Sequence, residues 1–460
     1  MTPKACKITL DQWNKQYELL CSSGIKQPDY GGTLGRHFED GDTRLRTLQF
    51  DNSAAALRLW NFLLTENERL HKARANGKKI VGTMKDLGTI PVMVYALQNA
   101  IAFYPDGAWW TPCIMETNEG LFKITDSLGI DESFCPVRAM LGAFLNEEHF
   151  PVADILICST GAVCDDFSAI AQRLESLGFK INWWEMPHRR KADKNQDSIN
   201  LPGGFSTPAT QIEFVKSELE NIRSLLETLT GEKLTDQKLI KVIAKANVVR
   251  GLLAELRHIV FTAQINPLPA LEMLIAEMLA IHFCSDIGET ILVLQDLLKE
   301  AKLRIANKEG VSNKNAAKIF WVNPVADLKA MNLLEECGGR VCGTDYLFTH
   351  ALDTIPTDIA PMEALAQMAL ADGMAGSSFD RAERICQDIE KFGSEAIIIS
   401  RIPGASHCAI EGTIIADIVK QRLRIPTLEI EIPTLSDGLQ QPIKNRIEAL
   451  IEVVLQRRQK

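Results

Sequence analysis

Short apolar runs bounded by turn residues alternate with helix-period segments in two separate stretches of this 460-residue sequence. That alternation restricts the fold more than any other feature, because strand, helix and strand in succession close into parallel βαβ units. In the first stretch Lys79–Thr83, Asp154–Cys158 and Phe179–Trp184 read as strands. Asp165–Leu177 carries Phe167, Ile170, Ala171 and Leu174 at helical spacing, and Pro91–Tyr104 reads as a buried helix plus a short strand. In the second stretch Lys318–Val322, Arg340–Cys342, Ala396–Ser400 and Thr427–Ile432 read as strands. Val325–Cys337, Arg381–Phe392, Glu411–Arg422 and Pro442–Gln459 read as helices. Between the stretches, Gln211–Ile305 is almost continuously helical by pattern, broken at Thr230-Gly231, at Asn266-Pro267 and around Ser285–Gly288.

The expected fold class is therefore α/β, with two doubly wound parallel-sheet domains separated by a helical insert. A chain this long exceeds one ordinary core, and four segments are expected. They are a mostly helical N-terminal segment (1–75), a first α/β domain (76–205), the insert (206–312) and a second α/β domain (313–460). No repeat of short period is visible, although the two α/β halves can be related in structure.

Composition narrows the partners. With 46% hydrophobic and 24% charged residues the chain is ordinary globular protein, and a net charge of −9 argues against non-specific nucleic-acid binding. No apolar run reaches the roughly 18–20 residues of a membrane span, and the most apolar helical stretch, Leu268–Cys284, carries Glu272 and Glu277. No secretory signal pattern marks Met1-Thr-Pro-Lys4, so a cytoplasmic location is expected, with neither membrane nor nucleic acid as partner.

In a reducing compartment the eleven cysteines are not expected to pair as disulfides. There is no CxxC pair, so a metal centre would have to draw thiols from distant parts of the chain. Three cysteines have a suitable setting. Cys164 follows an apolar strand, in Ser159-Thr-Gly-Ala-Val-Cys-Asp-Asp166, and precedes a helix. Cys408, in Arg401-Ile-Pro-Gly-Ala-Ser-His-Cys408, has the same setting in the second half. Cys135, in Glu132-Ser-Phe-Cys-Pro-Val-Arg138, precedes an apolar helix-like run. Ligands of open parallel sheets bind beyond the carboxyl ends of the strands, and helix N-termini stabilise thiolates and anionic groups. The residues alone leave two readings open: three unrelated buried thiols, or a set of ligands.

Of the rest, Cys342 is the reserve ligand, Cys158 belongs to the core, and Cys284 closes a helix on which His282 and Asp286 share a face. No GxxxxGK[ST] loop or dinucleotide fingerprint occurs, so the chain shows no sign of hydrolysing ATP or binding NAD itself. His188-Arg-Arg-Lys191 reads as a phosphate clamp or, more simply, as a solvated basic loop.

Four stretches carry a resemblance: SFCPVRAMLG around Cys135, ILICSTGAVCDD around Cys164, LLEECGGRVCGTDYLF around Cys342 and IPGASHCAIEG around Cys408. The closing pattern Ile425-Pro-Thr-Leu-Glu-Ile-Glu431 with Asn445-Arg-Ile-Glu-Ala-Leu450 adds to it. Together they resemble the cluster-bearing subunits of the family that joins 2-hydroxyacyl-CoA dehydratases with ATP-dependent benzoyl-CoA reductases. IPGASHCAIEG and GGRVCGTD look nearer the reductase branch. The resemblance implies that Cys135, Cys164 and Cys408 hold one 4Fe–4S cluster, with one iron lacking a protein thiolate. It also implies a related second cluster-bearing subunit, an ATP-hydrolysing iron–sulfur activator that delivers single electrons, and an acyl-CoA substrate. The leading expectation is thus the iron–sulfur subunit of an anaerobic low-potential reductase of aromatic acyl-CoA thioesters. A 2-hydroxyacyl-CoA dehydratase subunit is the alternative. A double-cubane reductase of small molecules and a scaffold without a cluster complete the set. His407 is a candidate proton donor beside the cluster, and Trp109, Trp110 and Phe134 are candidate walls of a dry pocket. Many relatives carry Pro-Glu where this chain has Pro91-Val92, which puts that carboxylate's role in doubt here.

Overall fold

The computed structural model describes residues 4–22, 45–105, 118–147, 149–433 and 437–459; the side chains of residues 17, 20–22, 45, 118–119, 407–409 and 437 also lie outside the description. Twelve strands occur among the described residues: β1 (Lys7–Ile8), β2 (Phe50–Asp51), β3 (Lys79–Met84), β4 (Ala100–Phe103), β5 (Ile155–Gly161), β6 (Ile181–Met186), β7 (Ser198–Asn200), β8 (Ser206–Pro208), β9 (Ala317–Val322), β10 (Gly339–Asp345), β11 (Ala396–Arg401) and β12 (Thr427–Glu431). Eight of them build two four-stranded parallel sheets, in the orders β4-β3-β5-β6 and β10-β9-β11-β12. The fold is α/β with two such sheets, as the strand–helix alternation requires.

The two orders are the same. In each sheet the second strand in sequence pairs on one side of the first and the third strand pairs on the other. Each sheet thus has a switch point between its first and third strands, β3/β5 and β9/β11, where loops diverge and leave a crevice. The central strands are apolar nearly throughout because helices cover both faces; β3 is buried from Ile80 to Met84 and β11 from Ala396 to Ser400. The first strand of each sheet is followed by a residue with positive φ, Lys85 at 67° and Asn323 at 69°, so the chain turns off both sheets alike.

Four helices connect the sheets: Ala209–Thr230, Asp236–Thr262, Ala270–His282 and Ile287–Asn307. Their breaks have local causes. Gly231 ends the first in a left-handed conformation at φ 71°, Thr235 caps the second by accepting from the Lys238 amide, and Asp286 caps the last by accepting from Gly288 and Glu289. The third break corrects one expectation. Phe283, Cys284 and Ser285 all have positive φ, so His282 and Asp286 do not share a helix face. His282 instead meets Glu66 at 2.5 Å, and Cys284 is a buried thiol 3.0 Å from the Arg69 guanidinium.

Two further differences concern helix limits. The helix expected from Glu411 begins at Ser406, which puts position 408 in its first turn. The helix Pro361–Leu370 was not legible, because all its residues but Glu363 are buried and no polar face marks its period. Nor is the basic run at 188–191 simply solvated: Arg189 is buried over the Phe205 ring and donates to the carbonyls of Leu370 and Asp372, both at 2.6 Å, tying the halves together.

Candidate cofactor site

The three singled-out cysteines sit at the starts of helical segments. Cys164 is the N-cap of the helix Asp165–Ser176, three residues past the end of β5. Cys135 is the N-cap of a short 3-10 turn, Pro136–Arg138, which runs into the helix Ala139–Asn146. Arg138 fixes that turn by donating to Thr125 Oγ1, Asp126 Oδ1 and the Ile130 carbonyl, at 2.6, 2.6 and 2.8 Å. Position 408 is the third residue of the helix Ser406–Leu423, which follows β11. Helix starts leave N–H groups without intrahelical partners and carry positive potential.

Two contacts bring the three loops to one place. Asp166, two residues past Cys164, accepts through Oδ2 from the Ser406 amide at 3.2 Å; the Cys164 thiol lies 3.8 Å from the same oxygen. The Asp166 carboxylate thereby caps, from the first half, a helix of the second half whose own N-cap, Ala405, has no capping side chain. The other contact is made by Gly404, at φ 76°: a Cβ there would lie 2.5 Å from the Phe134 carbonyl carbon and 2.8 Å from the Cys135 nitrogen. Only glycine lets the segment before the Ser406 helix lie directly on the Cys135 loop. Gly404→Ala is therefore expected to push the Cys135 loop and the Ser406 helix apart and to cost about 1–3 kcal/mol, a loss that urea unfolding of the variant measures.

Cys135 and Cys164 are 8% and 5% exposed. The side chains of Cys408 and His407 lie outside the described residues, as do Trp109, Trp110 and Cys113. Among the described residues no group of three or more His, Cys, Asp and Glu side chains is placed to hold a metal ion. What the described backbone shows is that the loops bearing positions 135, 164 and 408 touch. Three cysteines on touching loops at helix starts, two of them buried, fit the needs of an iron–sulfur group, whose ligands are thiolates and whose charge is negative.

The other thiols stand apart. Cys342, the reserve ligand, is fully buried within β10, and its carbonyl accepts from Ser394 Oγ, which precedes β11 at the edge opposite the one from which the Ser406 helix departs. Burial pushes its thiol up to about 11, and those of Cys158 and Cys337 up to about 12, so they stay protonated at neutral pH.

Residues that sequence reasoning passed over frame the site. Lys85, 4% exposed, follows β3 and donates to the Gly161 carbonyl at 2.9 Å and to Ser168 Oγ at 2.8 Å. Arg381 bonds Asp345 at the end of β10, Asn323 at the end of β9 and Glu411 on the Ser406 helix. The pointer to both was available: each lies at, or bonds to, the carboxyl end of a first strand, where open sheets bind ligands. Val92, at the departure from the Pro-Glu pattern, is fully buried in the helix Ile90–Tyr95.

A carboxyl does lie next to that helix. Asp86 caps it, accepting from the amides of Ile90 at 2.5 Å and Thr89 at 3.3 Å. Burial raises its pKa to about 6, with the nearby charge of Asp372 adding to the shift. A carboxyl whose folded pKa lies above its unfolded one binds more protons when folded, so its contribution is fully present below about pH 4 and is lost as pH rises to about 6. The loss amounts to about 3 kcal/mol over that window. Asp86→Asn, which keeps the amide acceptor, is expected to flatten this part of the profile; urea midpoints from pH 4.5 to 7 for both chains test it.

The family model of the 2-hydroxyglutaryl-CoA dehydratase D-component matches residues 94–454. No curated protein matches the chain. The family match covers the three cysteine loops and names a dehydratase component; it lends no support to a place nearer the benzoyl-CoA reductases.

Proposed function

We propose, from the premise that the chain belongs to the 2-hydroxyglutaryl-CoA dehydratase D-component family, that it is the iron–sulfur subunit of a 2-hydroxyacyl-CoA dehydratase-type enzyme. In this reading Cys135, Cys164 and Cys408 hold a 4Fe–4S cluster. The observation that carries it is the meeting of the three cysteine loops through Asp166, Ser406 and Gly404. When bound, such a group supplies single-electron transfer at low potential and one iron with no protein thiolate.

The chain's own residues prepare the surroundings. Three helix starts offset the negative charge of thiolates. Ala162, Ile402 and Ala405 are buried and Phe134 is half-buried on the adjoining loops, so apolar groups stand beside the proposed site, as low-potential chemistry requires. Asp166 and Gly404 hold the two halves in register, so that a ligand set drawn from both sheets forms only in the folded chain. A related second subunit and an ATP-hydrolysing activator complete the proposed enzyme.

A second reading, the reductase of aromatic acyl-CoA thioesters, draws on IPGASHCAIEG and GGRVCGTD. The test uses the complex purified without oxygen, with activator and ATP. Enoyl-CoA formed from a 2-hydroxyacyl-CoA supports the dehydratase, whereas a cyclic diene formed from benzoyl-CoA supports the reductase. Iron and sulfide analysis runs in parallel: about four irons per chain fit a single cubane and about eight a double one. An iron-free chain after reconstitution removes the cluster and leaves a scaffold.

A further inference from the structure

Lys85 is the one buried lysine among the described residues; the buried arginines Arg189, Arg250 and Arg340, which also lack a carboxylate, spread their charge over a more weakly hydrated guanidinium that meets backbone carbonyls. The guanidinium of Arg381 faces Asp345 and Glu411, and that of Arg304 faces Asp51 and Glu300. The partners of Lys85 are neutral, the Gly161 carbonyl and the Ser168 hydroxyl, and no carboxylate among the described residues comes within ion-pair distance. Asp165, the carboxylate that acts on it from farther off, is exposed to water. An ammonium withdrawn from water without a counter-charge is costly, and a fold keeps one where an anion compensates it.

Its place says which anion. Gly161 precedes Cys164 by three residues and Ser168 follows it by four, so the ammonium bridges the two flanks of the loop that carries that thiol. The corresponding position of the second half carries no charge. There Asn323 follows β9 with nearly the same φ, donates to the Ser400 carbonyl at 3.0 Å, and accepts from the already neutralised Arg381. The two halves share strand order and turn geometry, but at this turn only the half that carries Cys164 places a cation.

Resting on the proposed iron–sulfur reading, we infer that Lys85 is the counter-cation of the anionic group held by Cys164 and its companions, and that it raises the potential at which that group accepts an electron. The lysine keeps its proton throughout. One electron passes from an external reductant to the iron–sulfur group, and the fixed positive charge makes the more negative product easier to form. Lys85 is a positioning and field-setting residue in this role, with no bond to substrate.

The test compares wild type, Lys85→Met and Lys85→Arg, each purified without oxygen as the complex, by iron content and by dye-mediated titration with dithionite followed by electron paramagnetic resonance. Lys85→Met is expected to keep its iron and to show a more negative midpoint. At the wild-type midpoint its reduced-to-oxidised ratio falls about tenfold, which is about 59 mV for one electron. Lys85→Arg is expected to stay close to wild type. Loss of iron in the Met variant with retention in the Arg variant also supports the counter-charge. An unchanged Met midpoint overturns the inference while leaving the cluster in place, and so does an equal shift or equal iron loss in both variants. A wild-type chain without iron is a separate outcome: it removes the cluster reading itself and the counter-charge with it.

Discussion

Cys164→Ser, reconstituted without oxygen, is expected to hold at most about a tenth of the wild-type iron, because changes even in groups that only orient metal ligands cost about 10–100-fold in affinity. A serine hydroxyl keeps the volume but does not ionise near neutral pH, and iron–sulfur groups are held by thiolates. Two comparisons make the result specific. Cys158→Ser, six residues upstream in the core of β5, and Cys342→Ser, in the core of β10, are expected to keep their iron. Cys135→Ser and Cys408→Ser are expected to follow Cys164→Ser. Equal iron in Cys164→Ser and wild type would sink the proposed ligand set. Loss in Cys342→Ser with an intact fold would move the set toward the reserve cysteine.

Arg381→Met is expected to destabilise the chain by about 3–5 kcal/mol, the cost of leaving buried charges without their partner. The guanidinium lies fully buried and reaches three elements at once: Asp345 Oδ2 at 2.8 Å, Asn323 Oδ1 at 2.8 Å and Glu411 Oε2 at 2.6 Å. Two of these mark the ends of β10 and β9, and the third lies on the Ser406 helix, so the arginine anchors the helix that bears position 408 to its sheet. Methionine fills part of the space and abandons Asp345 and Glu411. Lysine keeps the charge but loses the planar fork, and Arg381→Lys is expected to recover less than half of the loss. Urea unfolding measures both variants, and iron content shows whether a loosened helix releases the cluster. A change within about 0.5 kcal/mol, the range of ordinary surface substitutions, would show that the triad is not what fixes the helix.

Much of the fold was legible because parallel sheets buried on both faces need continuous apolar strands. Lys79–Thr83, Lys318–Val322 and Ala396–Ser400 supplied them with little ambiguity. The breaks in the helical region were legible for a related reason, since Gly231 and Pro267 bear on the backbone directly. The Pro361–Leu370 helix was hidden by burial, and the left-handed run at Phe283–Ser285 by the absence of glycine. The candidate cysteines stood out by their position before helices and, for Cys164 and Cys408, after strands. The groups around them were not, because Lys85, Asp166 and Arg381 look like ordinary surface charges until their partners are known.

By itself the sequence determined the strands of the two parallel sheets and which thiols stand at helix starts, because backbone propensity and apolar period are local properties of the chain; the two short antiparallel pairs, β1-β2 and β7-β8, were not legible in it. Tertiary structure alone decided that the loops of Cys135, Cys164 and Cys408 touch and that Asp166 caps a helix of the other half. It also decided that one lysine is buried without a counter-charge. These are facts of distance between residues 240 to 270 positions apart in sequence, set by how the two sheets face each other, and no local pattern encodes them.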